Sequence, residues 1–160
     1  MNTPNELYSL LIPLRDARIL VPRMCVAEVI TFAETEKRDD DNAPDWLLGS
    51  IDWDGRRVPV VTLDDAKAEK DLEPGRKGSR SRIVIFNAIG GKLKTGFFGI
   101  LTQGFPQLVR VNRDVLTIDE AEPLPEGQPI LCRVQMIHEF PLIPDLETIE
   151  QRLVDLQSAA

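Results

Sequence analysis

Apolar and polar positions alternate along this chain in short runs punctuated by glycine, proline and aspartate, the pattern of a protein made of strands. The clearest run extends from Pro44 to Leu63, with Asp54-Gly55 dividing it. That dipeptide favours the positive backbone angles of a two-residue hairpin loop. With the loop there, Trp53 faces Arg56, Ile51 faces Val58 and Gly49 faces Val60 on an apolar side of the ribbon. Asp52 then faces Arg57 and Ser50 faces Pro59 on the side turned to water. At the tip the Arg56 guanidinium is expected over the Trp53 indole, a contact worth about 0.5–1 kcal/mol at an exposed site. Trp53 has two readings: a plug for the end of a core, as large aromatics in strands usually are, or a docking anchor, since Trp and Arg are enriched at binding hot spots.

The same alternation predicts a hairpin of Tyr8 to Leu14 and Arg18 to Val21 about a turn at Asp16-Ala17. Pro22 suits the start of a short helical piece through Val29, in which Val26, Val29 and Ile30 share a face and Glu28 points elsewhere. Further strands are expected at Arg82 to Asn87, Thr95 to Leu101, Leu108 to Val111 and Ile130 to Met136, with Gly90-Gly91 turning between the first two. Residues 34–43 and 66–81 are polar loops, and residues 1–6 form a tail. Leu146, Ile149, Leu153 and Leu156 repeat at helical spacing behind Asp145, a natural N-cap, so residues 145–157 form a terminal amphipathic helix that packs on its own protein. Many short strands with frequent glycine and proline point to small barrels or a sandwich.

Composition narrows the function classes. At 160 residues, one domain over residues 1–160 is the simplest organisation, and 42% hydrophobic residues suffice for a core. A formal net charge of -7 opposes nucleic-acid phosphates and anionic lipid. The basic group Arg76, Lys77, Arg80 and Arg82 reads as a solvated connection. Neither a signal peptide nor a run of about eighteen apolar residues is present, so no direct membrane insertion and a cytoplasmic location are expected. Cys25 and Cys132 lie in apolar surroundings and read as reduced and buried, without the neighbours of a zinc site.

Candidate chemistry is sparse. His138 is the single histidine and sits in strand-like Met136 to Phe140, away from any nucleophile motif. The run Asp39-Asp40-Asp41 lacks the glycine and spaced glutamate of a calcium loop, and Gly90-Gly91-Lys92 lacks the spacing of a phosphate loop. No catalytic residue, cofactor or metal is expected, and the protein is not expected to be an enzyme. Two other classes remain open: a small-barrel nucleic-acid-binding protein, which the acid excess opposes, and a hydrolase using scattered carboxylates.

Pro44-Asp45-Trp46-Leu47-Leu48-Gly49-Ser50-Ile51 followed by Gly55 and Val58-Pro59-Val60-Val61-Thr62-Leu63 resembles the signature segment of CheW-like adaptor domains of bacterial chemosensory systems. Upstream, Val26-Ala27-Glu28-Val29-Ile30 is similar to the family's Val-x-Glu-Ile element. Downstream, Arg82 to Asn87 and Gly99 to Val109 are similar to its later strands, so the likeness runs from about Leu10 to Leu156. Within the family, the tryptophan before the turn, Asn87-Ala88-Ile89-Gly90 and Gln103-Gly104-Phe105-Pro106 look most like the ChpC group of type IV pilus, or twitching motility, clusters.

The resemblance implies a mainly β fold of two intertwined five-stranded SH3-like barrels with short helices and a C-terminal helix. It also implies a non-catalytic adaptor that holds the regulatory domain of a CheA-type histidine kinase, itself CheW-like, and the tips of methyl-accepting chemoreceptors, or that modulates the array they build. Val26 and Glu28 match family contact positions, whereas Ile51, Val58 and Gly99 match core spacing. Trp46, Trp53, Asp54 and Arg56 complete the expected partner-binding set. Asp54 stands where the family usually carries arginine, which reverses any ion pair made there, so Asp54→Arg is expected to change partner choice with little effect on melting temperature.

Overall fold

The computed structural model describes residues 6–32, 35–36, 43–64 and 80–158. Most of both polar loops, residues 1–5 of the tail, the Asp39 to Asp41 run, Arg76 and Lys77 lie outside the described residues. In chain order the elements are β1 (Leu7–Pro13), β2 (Arg18–Pro22), a 3-10 turn (Arg23–Cys25), β3 (Val26–Thr31), β4 (Leu47–Trp53) and β5 (Arg56–Val61). There follow β6 (Arg82–Asn87), β7 (Phe97–Thr102), β8 (Gln107–Val111), β9 (Thr117–Asp119), β10 (Ile130–Gln135), β11 (Leu142–Pro144) and the helix α1 (Leu146–Ser158).

The strands form two sheets, one ordered β8-β1-β2-β11-β10-β9 and the other β3-β6-β7-β5-β4. Neighbours are antiparallel except β5 with β7 and β11 with β2. The β4–β5 hairpin has the expected register throughout, from Gly49 opposite Val60 to Trp53 opposite Arg56. Its turn fits the chemistry of its residues: Asp54 at φ 50° and Gly55 at φ 71° adopt the positive angles that favour Asp-Gly. For that reason arginine at position 54 would carry a backbone penalty as well as a charge change, which corrects the expectation that Asp54→Arg leaves stability nearly untouched.

In the five-stranded sheet, the outer strands β3 and β4 are brought together beyond the end of β3. Glu36 and Ser50 exchange two backbone hydrogen bonds, at 2.8 Å and 3.0 Å, and the Thr35 hydroxyl donates to the Leu48 carbonyl at 2.8 Å. Arg57 pairs with Glu36 and, at 3.4 Å, with its cross-strand partner Asp52. Together these contacts close the sheet into a barrel, the arrangement that removes free edges. The other sheet curls as well, because Val111 of β8 and Val134 of β10 share one apolar cluster although a flat sheet would hold them far apart.

Side chains alternate between two destinations. Within the closed barrel, Ile51, Val58, Val60, Ile83, Ile85 and Leu101 pack together. The intervening positions Val84, Phe86, Phe98 and Ile100 point the other way and meet Ile12, Ile19 and Val21 of the second sheet, with Ile149 and Leu153 of α1. Phe86 and Phe98 are paired across β6 and β7 and stack with centroids 5.5 Å apart. Strands buried on both faces read as near-continuous apolar runs, which is why Arg82 to Asn87 is so apolar. Gly99 points into the barrel, where a Cβ would stand 2.8 Å from Ile83.

Three expectations need correction. The helical piece from Pro22 to Val29 is only a 3-10 turn over Arg23–Cys25, after which β3 begins. The sheets have six and five strands rather than five each, because the short β9 and β11 both join the first. His138 lies in an exposed bend, not a strand: Met136 N–H donates to the Glu139 carbonyl at 2.8 Å and turns the chain. The terminal helix is as expected, with Asp145 accepting from the Thr148 N–H at 3.1 Å and its hydroxyl at 2.7 Å.

Candidate functional site

One end of the closed barrel gathers most of the side chains singled out in the sequence. There β3, β5 and β7 begin while β4 and β6 end, so Val26, Glu28, Trp53, Arg56, Asn87 and Phe97 converge on the same rim. Residues opposite one another across a ladder share a face, and Glu28 is opposite Ile85, a barrel-interior position. Its carboxylate therefore reaches over the barrel mouth and accepts the indole N–H of Trp53. Val26, opposite Phe86, leans instead on the core shared by the two sheets.

The floor of this mouth is aromatic. Trp53 meets Phe97 edge to face, with centroids 4.9 Å apart at 64°. The Arg56 guanidinium stands over the Phe97 ring, 5.1 Å from its centroid, so the expected partner Trp53 is replaced by Phe97 as the ring beneath the cation. Arg56 also donates to the Thr95 carbonyl at 2.9 Å. Asp54 is exposed at the turn beside them. Met24 and Ile89 belong to the same end, since Asn87 donates to the Met24 carbonyl at 3.1 Å, and they are 80% and 60% exposed. A half-buried aromatic pair with a charged rim and exposed aliphatic shoulders is the composition of a binding surface.

Trp46 is elsewhere. It lies at the other end of the hairpin, where its carbonyl accepts the Thr62 N–H at 2.9 Å. Its ring packs on the shared core beside Val61, Leu63, Pro129, Ile149 and Arg152, under α1. The expected set thus divides into Glu28, Trp53, Asp54 and Arg56 around the mouth, Val26 on its shoulder, and Trp46 against the helix.

Reactive arrangements are scarce. Among the described residues no group of three or more His, Cys, Asp or Glu side chains is placed to hold a metal ion. Cys25 and Cys132 are free thiols, half-buried rather than buried as expected, and burial pushes the Cys25 thiol above its ordinary value. Among the described residues no helix is long and apolar enough to cross a membrane.

A family model described as the CheW-like domain matches residues 9–126. The chain belongs to the CheW-like domain family. No curated protein matches it. Among solved structures it is similar to the scaffolding protein TtCheW from Thermoanaerobacter tengcongensis, at a TM-score of 0.62 and 14% identity, over 86% of this chain and 88% of that one. At that identity the likeness speaks for the CheW-like fold, and it extends past residue 126 where the family model stops.

Within this CheW-like domain, three members of the mouth were missed from the sequence. Phe97 shares its strand face with Gly99, and that parity in Phe97-Phe98-Gly99-Ile100 was the available signal. Met24 and Ile89 carry none, because isolated apolar residues on turns look like any others.

Proposed function

We propose that this CheW-like protein is a non-catalytic, cytoplasmic adaptor of a bacterial chemosensory system, joining methyl-accepting chemoreceptors to the regulatory domain of a CheA-type histidine kinase. The observation that carries this reading is the barrel mouth. Two of its charged side chains, Glu28 and Arg56, are engaged by the Trp53 indole and the Thr95 carbonyl, which leaves an aromatic and aliphatic surface ready to be covered beside the exposed Asp54. Such a surface binds; it holds no nucleophile beside a base. A standard interface buries roughly 800 Å² per partner, a size suited to the end of a small barrel.

The test is a titration of the purified protein with the regulatory domain of a CheA-type kinase. Phe97→Ala is expected to weaken binding by about thirtyfold, the effect of a 2 kcal/mol hot spot. Trp46→Ala is expected to lower the melting temperature instead. Equal affinity for the wild-type protein and the Phe97 variant would remove the mouth from the interface. Absence of binding by the wild-type protein would remove the kinase as partner.

The finer reading places the adaptor in a ChpC-like role in type IV pilus-based twitching motility. Its support is the resemblance of the Trp53-containing turn, and the charge at Asp54 then favours a partner presenting a cation where the usual family arginine would meet an anion. Deletion of the gene should reduce twitching zones and leave swimming intact.

A further inference from the structure

Glu150 is the most buried charged residue described, at 3% exposure, yet it lies on a helix that could have turned it to water. Its Oε2 accepts the Gly90 N–H at 2.9 Å, while Oε1 is buried and meets no donor among the described residues. A buried carboxylate held by one neutral donor is unfavourable where shape alone matters. Position 90 is fitted to it as well, since a Cβ there would stand 2.8 Å from Oε1. The helix therefore grips the turn between β6 and β7 at its first glycine.

The same turn is gripped at its other end by the mouth. Leu93, in the middle, is 4% exposed and packs in the shared core with Ile149 and Leu153. Ala88 N–H donates to the Gly96 carbonyl at 2.8 Å and Gly96 N–H to the Leu93 carbonyl at 3.0 Å, so the loop is closed on itself. Thr95 then offers its carbonyl to Arg56 and its hydroxyl to the Phe97 carbonyl, each at 2.9 Å. From Glu150 to Trp53 the path runs by hydrogen bond to Gly90, along the backbone of the closed turn to Thr95, by hydrogen bond to Arg56, and by ring contacts from Arg56 to Phe97 and from Phe97 to Trp53.

We infer that Glu150 is a positioning residue for the barrel mouth: by fixing the 88–96 turn from the helix side, it sets where Arg56 and Phe97 stand, and so tunes the affinity of the partner-binding surface from outside it. This inference rests on the mouth being that surface. Its consequence is that the terminal helix, which does not belong to the rim, has a say in partner binding.

The experiment uses the full chain and has two arms. In the first, the Trp53 indole N–H resonance, assigned with Trp53→Phe, is followed in Glu150→Ala, Glu150→Gln, Gly90→Ala and Val134→Ala. Glu150→Ala and Gly90→Ala are expected to shift it. Glu150→Gln, which keeps an acceptor for Gly90, is expected to restore it, and Val134→Ala, a core truncation in the other sheet, to leave it in place. In the second arm, affinity for the regulatory domain of a CheA-type kinase is expected to fall about tenfold in Glu150→Ala, a typical coupling between sites, and to return in Glu150→Gln.

An unmoved Trp53 resonance in folded Glu150→Ala and Gly90→Ala overturns the inference, as does an equal shift in Val134→Ala. Should Glu150→Ala fail to fold, Gly90→Ala decides by the same criteria. If the wild-type protein does not bind the kinase domain, the proposed function falls, and the spectral arm alone judges the coupling.

Discussion

Gly49 shows how much one residue can decide. It sits at φ 136°, and a Cβ there would lie 2.6 Å from the Glu36 carbonyl oxygen, the atom that closes the barrel. Backbone cannot yield as a flexible side chain can, so Gly49→Ala is expected to cost about 2–4 kcal/mol, combining positive-φ strain with steric clash. Gly55→Ala, at φ 71° with nothing within 4 Å, should cost only about 1 kcal/mol, the left-handed penalty by itself. Urea unfolding of the two variants side by side checks the contrast. Similar losses would mean that the approach of Glu36 is not what position 49 protects.

At the scale of elements, legibility followed how many independent signals each segment carried. The β4–β5 hairpin was readable to the residue because a turn dipeptide and two alternating flanks agree on a single register. The start of β3, Val26 to Val29, carries a helix-like pattern for an instructive reason. A bulge at Ala27 inserts one residue, so Val26 and Val29 both face the shared core although three apart, the spacing of a helix face. β9 and β11 are each three residues long and leave no alternation to detect. Around the mouth, Trp53 and Arg56 were visible through the turn that displays them, whereas Phe97 joins them only through the parallel pairing of β5 with β7, a non-local event. α1 announced itself by both its stripe and its cap. Asp145→Ala is expected to lower stability by about 1 kcal/mol through loss of the Thr148 contacts, which thermal denaturation will register. Asp145→Asn should recover most of it.

For the molecule as a whole, the join between the two sheets has a titratable clasp. Asp64, just past β5, is 9% exposed and accepts the Arg15 N–H of the β1–β2 turn at 3.0 Å and 3.2 Å. Desolvation dominates over that hydrogen bond and raises its carboxyl above the ordinary 3.8. Between the unfolded and folded values, the native state therefore binds more protons than the unfolded chain, and stability falls as pH rises through that window. The contribution is fully present below the unfolded value and lost above the folded one. Relative to Asp64→Asn, the wild-type protein should lose stability as pH is raised from about 4 towards neutrality. Paired urea titrations across that range would detect it, and a difference independent of pH would show that the burial of Asp64 has no ionic cost.

The closed barrel occupies the middle of the chain, from Val26 to Thr102, while the other sheet draws β1 and β2 from before it and β8 to β11 from after it. During synthesis, then, the leading hairpin emerges without its sheet partners, whereas the inserted barrel has all its own strands as soon as Thr102 has cleared the ribosome. At roughly 5–20 residues per second, Leu11 and Leu20 wait several seconds before Val111 arrives to cover them. A nascent chain stalled just after β7 would carry a closed barrel whose outer apolar face still lacks Ile149 and Leu153, beside a leading hairpin that still lacks Val111, and it is there that a chaperone would find most to hold.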